Sequence, residues 1–398
     1  MLELIDNNNI LPMDCLNYMK AFLSNKCLYT LSMVSKYGQS KFKEEIAHRN
    51  INLNKNYTYL YSIDEKFRNK IDHILSIRNM KFGLNYSLNE IVDIGFFDNN
   101  VIDILRFDYD QIVFFKFSSL LTTIQDIDLS HNSLTSLVPN KNLYNLAKLS
   151  LDGNQLETIS GLKHLPKLQY LSINYNDITN LSFLKELPID ATQGTPCLNT
   201  FSAVSCYTID DISPLENLIH LTSLSLSRNK INDISYLKNL TKLKILRLAK
   251  NEITDISVLK LLTNLTTLDL SLNTRIKKID DLQHLVNLED LNLMSTNISD
   301  ISNLTPLTNL TILNLSLNHI KDISSLTNLT KLTQLYLSYN NILDIKPIEN
   351  LTNITELELS YNNISDMSPL YTQKKLRAIV DINSDLKNAP QNSICNVF

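Results

Sequence analysis

Three sets of side chains in this sequence could carry chemistry. The first is a column of acids: Asp211, Asp233, Asp255, Asp300, Asp322, Asp344 and Asp366 recur in settings such as Asp233-Ile234-Ser235 and Asp322-Ile323-Ser324. Stacked one strand spacing apart, ~4.8 Å, such carboxylates could hold a ladder of metal ions. The same Asp and Ser can instead cap a short helical turn, where a side-chain oxygen accepts an otherwise unpaired backbone N–H. Solvated carboxylates in such a column repel one another only weakly. We adopt the capping reading and expect no metal and no cofactor. The second set is Tyr336, Tyr339, Glu356, Glu358 and Tyr361. Tyrosine brings a large contact area with one polar handle at little rotamer cost. The group reads either as a binding patch for a protein substrate or as ordinary solvated surface. The third set is the seven histidines, which are scattered. None pairs with a nucleophile, and none of the six glycines sits in a phosphate-cradling arrangement. The chain is not expected to be an enzyme.

What must position these residues is a phrase repeated along the chain. One copy reads Leu221, Leu224, Leu226, Asn229, Ile231, Ile234, Leu237, and the next Leu243, Leu246, Leu248, Asn251, Ile253, Ile256, Leu259. The Asn slot holds Asn132, Asn154, Asn176, Cys206, Asn229, Asn251, Asn273, Thr296, Asn318, Asn340 and Asn362, at a prevailing step of 22 residues. The repeats at Cys206 and Asn273 carry one extra residue, before Ile209 and Ile276, and a longer step after Asn176 holds an insertion within Pro188–Pro196. Leu-x-Leu alternation is a strand with one face buried, and stacking such strands buries a core that no single repeat could bury alone. The Asn falls where the chain leaves the strand, and its amide can satisfy backbone groups that the turn would leave unpaired. Cys206 and Thr296 replace it only in part, so those two coils are expected to be soft points.

The phrase L-x-x-L-x-L-x-x-N-x-I/L resembles the leucine-rich repeat, in the short class shared by phosphatase-regulator repeats and bacterial internalins. The resemblance implies an α/β solenoid: a curved parallel β-sheet on the concave side, with short turns or 3-10 helices on the convex side. Repeats are expected over 81–375, and a degenerate capping repeat over 376–398. Upstream, Ile102, Leu105, Phe107, Asp110 and Ile112 fit the phrase, and Leu84, Asn89, Ile91 and Ile94 fit it loosely.

Residues 8–48 read differently. Leu16, Met19 and Leu23 share a helical face after Leu11-Pro12, and Leu28, Leu31 and Val34 follow at three-residue steps. Leu11-Pro12-Met13-Asp14-Cys15-Leu16, then Leu28, and Leu31-Ser32-Met33-Val34-Ser35-Lys36-Tyr37 resemble an F-box. Tyr37 stands where the family commonly has Trp. The resemblance implies docking on a Skp-family adaptor of a cullin–RING ubiquitin ligase through Leu11, Pro12, Leu16, Leu28, Leu31 and Val34. The repeats would then select the substrate. The plain alternative is a helical cap over the first sheet edge. Between the two parts, Phe67, Ile71, Ile74 and Leu75 make a helical stripe, so 49–80 is expected to be a helical linker.

Composition narrows the partners. A net charge of −4 gives no reason to expect nucleic acid or an anionic membrane. Five cysteines without a C-x-x-C pair point to reduced thiols. The first residues lack a basic region ahead of an apolar run, and no apolar stretch is long enough to span a bilayer. A cytoplasmic monomer is expected. Abundant Asn, Ile, Lys and Tyr with no Trp suggests an AT-rich genome, and beside an F-box resemblance that suggests a virus or intracellular parasite acting in host cytoplasm. Three functions follow: substrate receptor of an SCF-type ligase, phosphatase-type regulatory scaffold, or internalin-like adhesin.

Overall fold

A strand needs only its central leucine buried, and a coil of this length has room for one strand, two turns and one helical turn. The computed structural model describes residues 124–376 except residue 140 and residues 190–193, and outside that span the backbone of six short strands. The adaptor candidates Leu11, Pro12, Leu16, Leu28, Leu31 and Val34, with all of residues 8–48, lie outside the described residues. The chain forms two compact units, one of Met1–Asn176 with Glu186–Pro188, the other of Asp177–Lys185 with Ile189–Phe398.

In the first unit, strands Asp126–Asp128, Lys148–Ser150 and Tyr170–Ser172 pair in parallel with Leu149 centred between Ile127 and Leu171. Ahead of them, Ile51–Leu53 pairs with Phe82–Tyr86, which pairs with Ile102–Phe107, again in parallel. The strand at Ile51–Leu53 lies inside the segment expected to be a helical linker, so sheet pairing begins earlier than the repeat phrase does.

The second unit carries three-residue strands at Thr200–Ser202, Ser223–Ser225, Ile245–Arg247, Thr267–Asp269, Asp290–Asn292, Ile312–Asn314, Gln334–Tyr336, Glu356–Glu358 and Ala378–Val380. Each pairs in parallel with the next, and Leu224, Leu246, Leu268, Leu291, Leu313, Leu335 and Leu357 run as one column. Opposite the strands stand 3-10 turns such as Ser235–Asn239, Ser257–Leu261 and Ser324–Leu326. In the Asn229 coil Leu221, Leu224, Leu226, Ile231, Ile234, Leu237 and Leu240 are all buried. Each such side chain contributes roughly 1.5–3 kcal/mol of transfer free energy, and these cores exist only between neighbours.

The Asn slot ties each coil to the one before it. Asn251 donates Nδ2 to Leu248 O at 3.0 Å within its own turn and to Leu226 O at 3.0 Å in the preceding coil. Its Oδ1 accepts the Ile231 N–H at 3.0 Å. Asn154, Asn273, Asn340 and Asn362 repeat the pattern. The residue just before the slot is left-handed in every described coil, from His131 and Gly153 to Tyr339 and Tyr361. That conformation costs an L-residue about 1–2 kcal/mol. It is held by bonds to the following coil, as from Lys250 N to Ser271 O at 2.7 Å.

The two expected soft points differ. In the Cys206 coil the extra residue turns the Thr208 N–H onto Cys206 O (2.9 Å). Asn229 therefore still donates to Ala203 O at 2.8 Å, but its buried Oδ1 finds no partner. In the Asn273 coil the Ile276 N–H likewise turns onto Asn273 O (3.0 Å). The next slot there is Thr296, which has no amide oxygen to strand, and its hydroxyl reaches Leu293 O at 2.8 Å. The defect thus falls on Asn229, not on the Thr296 coil.

The aspartate column caps the 3-10 turns. Asp211, Asp233, Asp255, Asp300, Asp322, Asp344 and Asp366 each accept the backbone N–H two residues on, at 2.8–2.9 Å. The Ser257, Ser302 and Ser368 N–H groups hold the carboxyls of Asp255, Asp300 and Asp366 below their ordinary value.

Two predictions follow from the brackets and the caps. Asn251→Ala should cost roughly 1–3 kcal/mol by stranding buried backbone groups, and Asn229→Ala should cost less, because it also removes an unpaired oxygen. Asn239→Ala, exposed on the 3-10 side, should stay under ~0.5 kcal/mol. Denaturant midpoints rank the three, and equal losses at Asn251 and Asn239 would contradict the bracket. Carboxyls with lowered folded values add stability above the unfolded value and lose it as pH falls through the folded one. Replacing Asp255, Asp300 and Asp366 together by Asn should therefore flatten the acid limb of the melting temperature against pH. An unchanged acid limb would show that the caps contribute no proton linkage.

Candidate functional site: the tyrosine and glutamate end of the strand face

Because side chains alternate across a strand, burying the central leucine of each strand leaves its two neighbours on the open face. At the C-terminal end those neighbours are Gln334 and Tyr336 on one strand, and Glu356 and Glu358 on the next, in register Gln334 to Glu356 and Tyr336 to Glu358. The structure brings Tyr336 and Glu356 together on the diagonal, with the phenol O–H donating to Glu356 Oε2 at 2.7 Å. Burial pushes the Tyr336 phenol up to about 12, helped by the hydrogen bond to Glu356 and by the negative charges of Glu356 and Glu358.

Tyr339 and Tyr361 belong to the same two coils but not to the strands. They occupy the left-handed positions before Asn340 and Asn362, with φ of 56° and 59°. Equivalent backbone conformations one coil apart send the two side chains out side by side. Their rings stack with centroids 4.1 Å apart and planes 13° from parallel, and each residue is 48% exposed. The Tyr361 hydroxyl raises Tyr339's phenol above its ordinary value. Tyr339 follows Tyr336 by three positions, so their Cα atoms lie within ~10 Å of each other. All five residues singled out from the sequence are therefore assembled by two adjacent coils.

Sequence reasoning missed the second acid pair on this face. Asp269 and Asp290 stand on adjacent strands. Burial raises the Asp290 carboxyl first and Asp269 adds to it, while Arg247, in register with Asp269, pulls it back. The left-handed column also exposes Leu272 and Leu317, at 39% and 44%. The signal for the two leucines was the slot before the Asn, which a strand-only reading passes over. Of the insertion within Pro188–Pro196, residues 190–193 are not described. Gly194 there has φ of 70°, with open space where a Cβ would stand, and Ile189 is exposed.

Stacked coils of a parallel strand, an Asn turn and a 3-10 return define a class of protein-binding solenoid. Comparison with known proteins identifies which. A family model described as leucine-rich repeats in two copies matches residues 219–261, 263–306, 308–351 and 330–372, and a second leucine-rich-repeat model matches 122–178. An internalin (inlF) from Listeria monocytogenes is 31% identical over 68% of this chain and 84% of its own, with a TM-score of 0.58. The chain belongs to the leucine-rich-repeat proteins. A leucine-rich-repeat protein of Leptospira interrogans covers more, 86% of this chain and 98% of its own, at a TM-score of 0.62 and 20% identity, which shows the shared fold. A search of curated proteins finds no match. Among the described residues no helix is long and apolar enough to cross a membrane.

The Tyr336 environment can be tested directly. In protein labelled with carbon-13 at the tyrosine ζ carbon, the resonance lost on Tyr336→Phe should ionise near 12. Glu356→Gln should move it back toward the ordinary phenol value. Titration of that resonance together with the exposed tyrosines would mean that the phenol and Glu356 are not paired.

Proposed function

We propose that this chain is a binding protein, the substrate-recognition subunit of an SCF-type ubiquitin ligase, acting in the cytoplasm. In this reading residues 8–48 dock on a Skp-family adaptor and its cullin through Leu11, Pro12, Leu16, Leu28, Leu31 and Val34. The repeats hold the protein substrate at Tyr336, Tyr339, Glu356, Glu358 and Tyr361. The observation that carries the repeat half is the Tyr339–Tyr361 stack, a pair of aromatic faces turned to water that the core does not use. Exposed aromatic surface of this kind is the usual anchor of an interface. The adaptor half is supported by the F-box resemblance of residues 11–37.

A second reading is favoured by the likeness to the Listeria internalin. There the repeats bind a partner on their own, as a scaffold or adhesin, and residues 8–48 are a cap.

Calorimetric titration of the full chain with a purified Skp-family adaptor, beside a thermal melt, separates the two. Leu11→Ala with Pro12→Ala should abolish adaptor binding, a loss of several kcal/mol, and leave the melt of the repeats unchanged. A lowered melt, and no adaptor binding even by the unaltered chain, would overturn the ligase reading and leave the scaffold. Tyr336→Ala with Tyr361→Ala should abolish substrate capture while adaptor binding persists. Capture that survives this change and disappears on trimming the Pro188–Pro196 insertion would move the recognition site there.

A further inference from the structure

Glu356 and Glu358 are two residues apart on one strand, so both project from its open face. Each is half-buried. Tyr336 occupies Oε2 of Glu356 and leaves its other oxygen open. The ion pairs among the described residues use Asp126, Glu216, Asp281 and Glu252, and none reaches Glu356 or Glu358. Lys375, in the following coil, gives its ammonium to Asn353 Oδ1 at 2.7 Å. The contrast on the same face is the Asp269–Asp290 pair, which has Arg247 beside it. Among the described residues, a cation stands beside one acid pair and no ion pair reaches the other.

The stacked pair Tyr339–Tyr361 belongs to the same two coils as Tyr336 and these carboxylates, and offers an exposed ring face. An apolar segment laid over the patch would desolvate two carboxylates without pairing them, which is strongly unfavourable. An acidic segment would be repelled. An ammonium could neutralise a carboxylate but has no plane to lay on a ring. A guanidinium does both, since it bonds a carboxylate with two parallel N–H groups and stacks on aromatic faces.

We infer that the protein segment recognised at the Tyr336–Tyr361 end of the strand face presents arginine, its guanidinium paired with Glu356 and Glu358 and stacked on the tyrosine pair. This rests on the reading of that end as the recognition patch and names the chemistry of what it takes.

The test uses the full chain and short fluorescein-labelled peptides alternating glycine with arginine, lysine or glutamate, read by fluorescence anisotropy. The arginine peptide should bind, the lysine peptide several-fold more weakly, and the glutamate peptide not at all. Glu356→Gln with Glu358→Gln should weaken the arginine peptide by at least about tenfold, or ~1.4 kcal/mol. Tyr339→Ala with Tyr361→Ala should narrow the preference for arginine over lysine. Asp269→Asn with Asp290→Asn should leave binding unchanged. Equal weakening by that control pair would show general attraction to an acidic surface and overturn the inference, as would arginine binding that ignores Glu356 and Glu358. A melt of each variant checks the fold. Should the double glutamine variant melt early, Glu358→Gln alone carries the test, because no hydrogen bond described above uses Glu358. Capture of a cross-linked protein partner distinguishes the two levels. Loss with Tyr336→Ala and Tyr361→Ala, but not with the glutamine pair, keeps the patch and removes the arginine. Capture unaffected by the tyrosine changes removes the patch itself.

Discussion

One amide side chain per coil sustains this structure. A three-residue strand has too few ladder bonds to define a turn by itself, and the chain must reverse direction through a left-handed residue that most side chains disfavour. The slot asparagine resolves both problems, because its NH2 reaches carbonyls on two coils while its oxygen takes an N–H from the coil behind. No other uncharged side chain of that size carries donor and acceptor together in this form. The leucine column buries the apolar core, and the polar bracket pairs the backbone groups of the turn that burial would otherwise strand. Loss of a leucine leaves a cavity, and loss of the asparagine leaves buried backbone groups unpaired.

Much of this was legible in the sequence, because period and burial are the same fact seen twice. Each leucine and isoleucine assigned to the phrase around Asn229 and Asn251 is buried, and the aspartates cap as their setting suggested. Other features depend on geometry that a residue string does not carry. Cys206 and Thr296 look equally defective as letters, yet the consequence depends on which N–H the preceding coil can still present, and so it falls on Asn229. Tyr339 and Tyr361 look like strand-face neighbours of Tyr336 and are in fact on left-handed turns, which is why they stack. The strand at Ile51–Leu53 precedes any recognisable copy, since backbone pairing needs no leucine phrase.

The division of labour between the two faces of each strand has an energetic logic. The inward leucine and the bracket hold the coil, so the outward residues are nearly free of structural duty. Ser223, Ile245, Thr267, Asp290 and Gln334 all stand at one strand position without disturbing the register. Polar, charged and aromatic side chains can therefore be arranged there at little cost to stability. The Tyr336–Glu356 pair shows the limit of that freedom: its hydrogen bond organises the surface without supporting the core.

The asparagine bracket also bears on how such a chain changes over generations. Every bracket spans only its own coil and the one before it, and coils from Asn229 to Asn273 repeat the same Nδ2 donation to the preceding coil with different side chains around it. A stretch of gene encoding one coil can be duplicated or lost, and the two coils brought together still meet through matching donors and acceptors. The array is thus heritable in whole-turn increments, and surface length can evolve separately from surface chemistry. The exceptions mark where that exchange is blocked. A coil with an extra residue, such as the one at Cys206, suits a successor whose slot lacks an amide oxygen, so the Asn273 and Thr296 coils form a pair that is best inherited together.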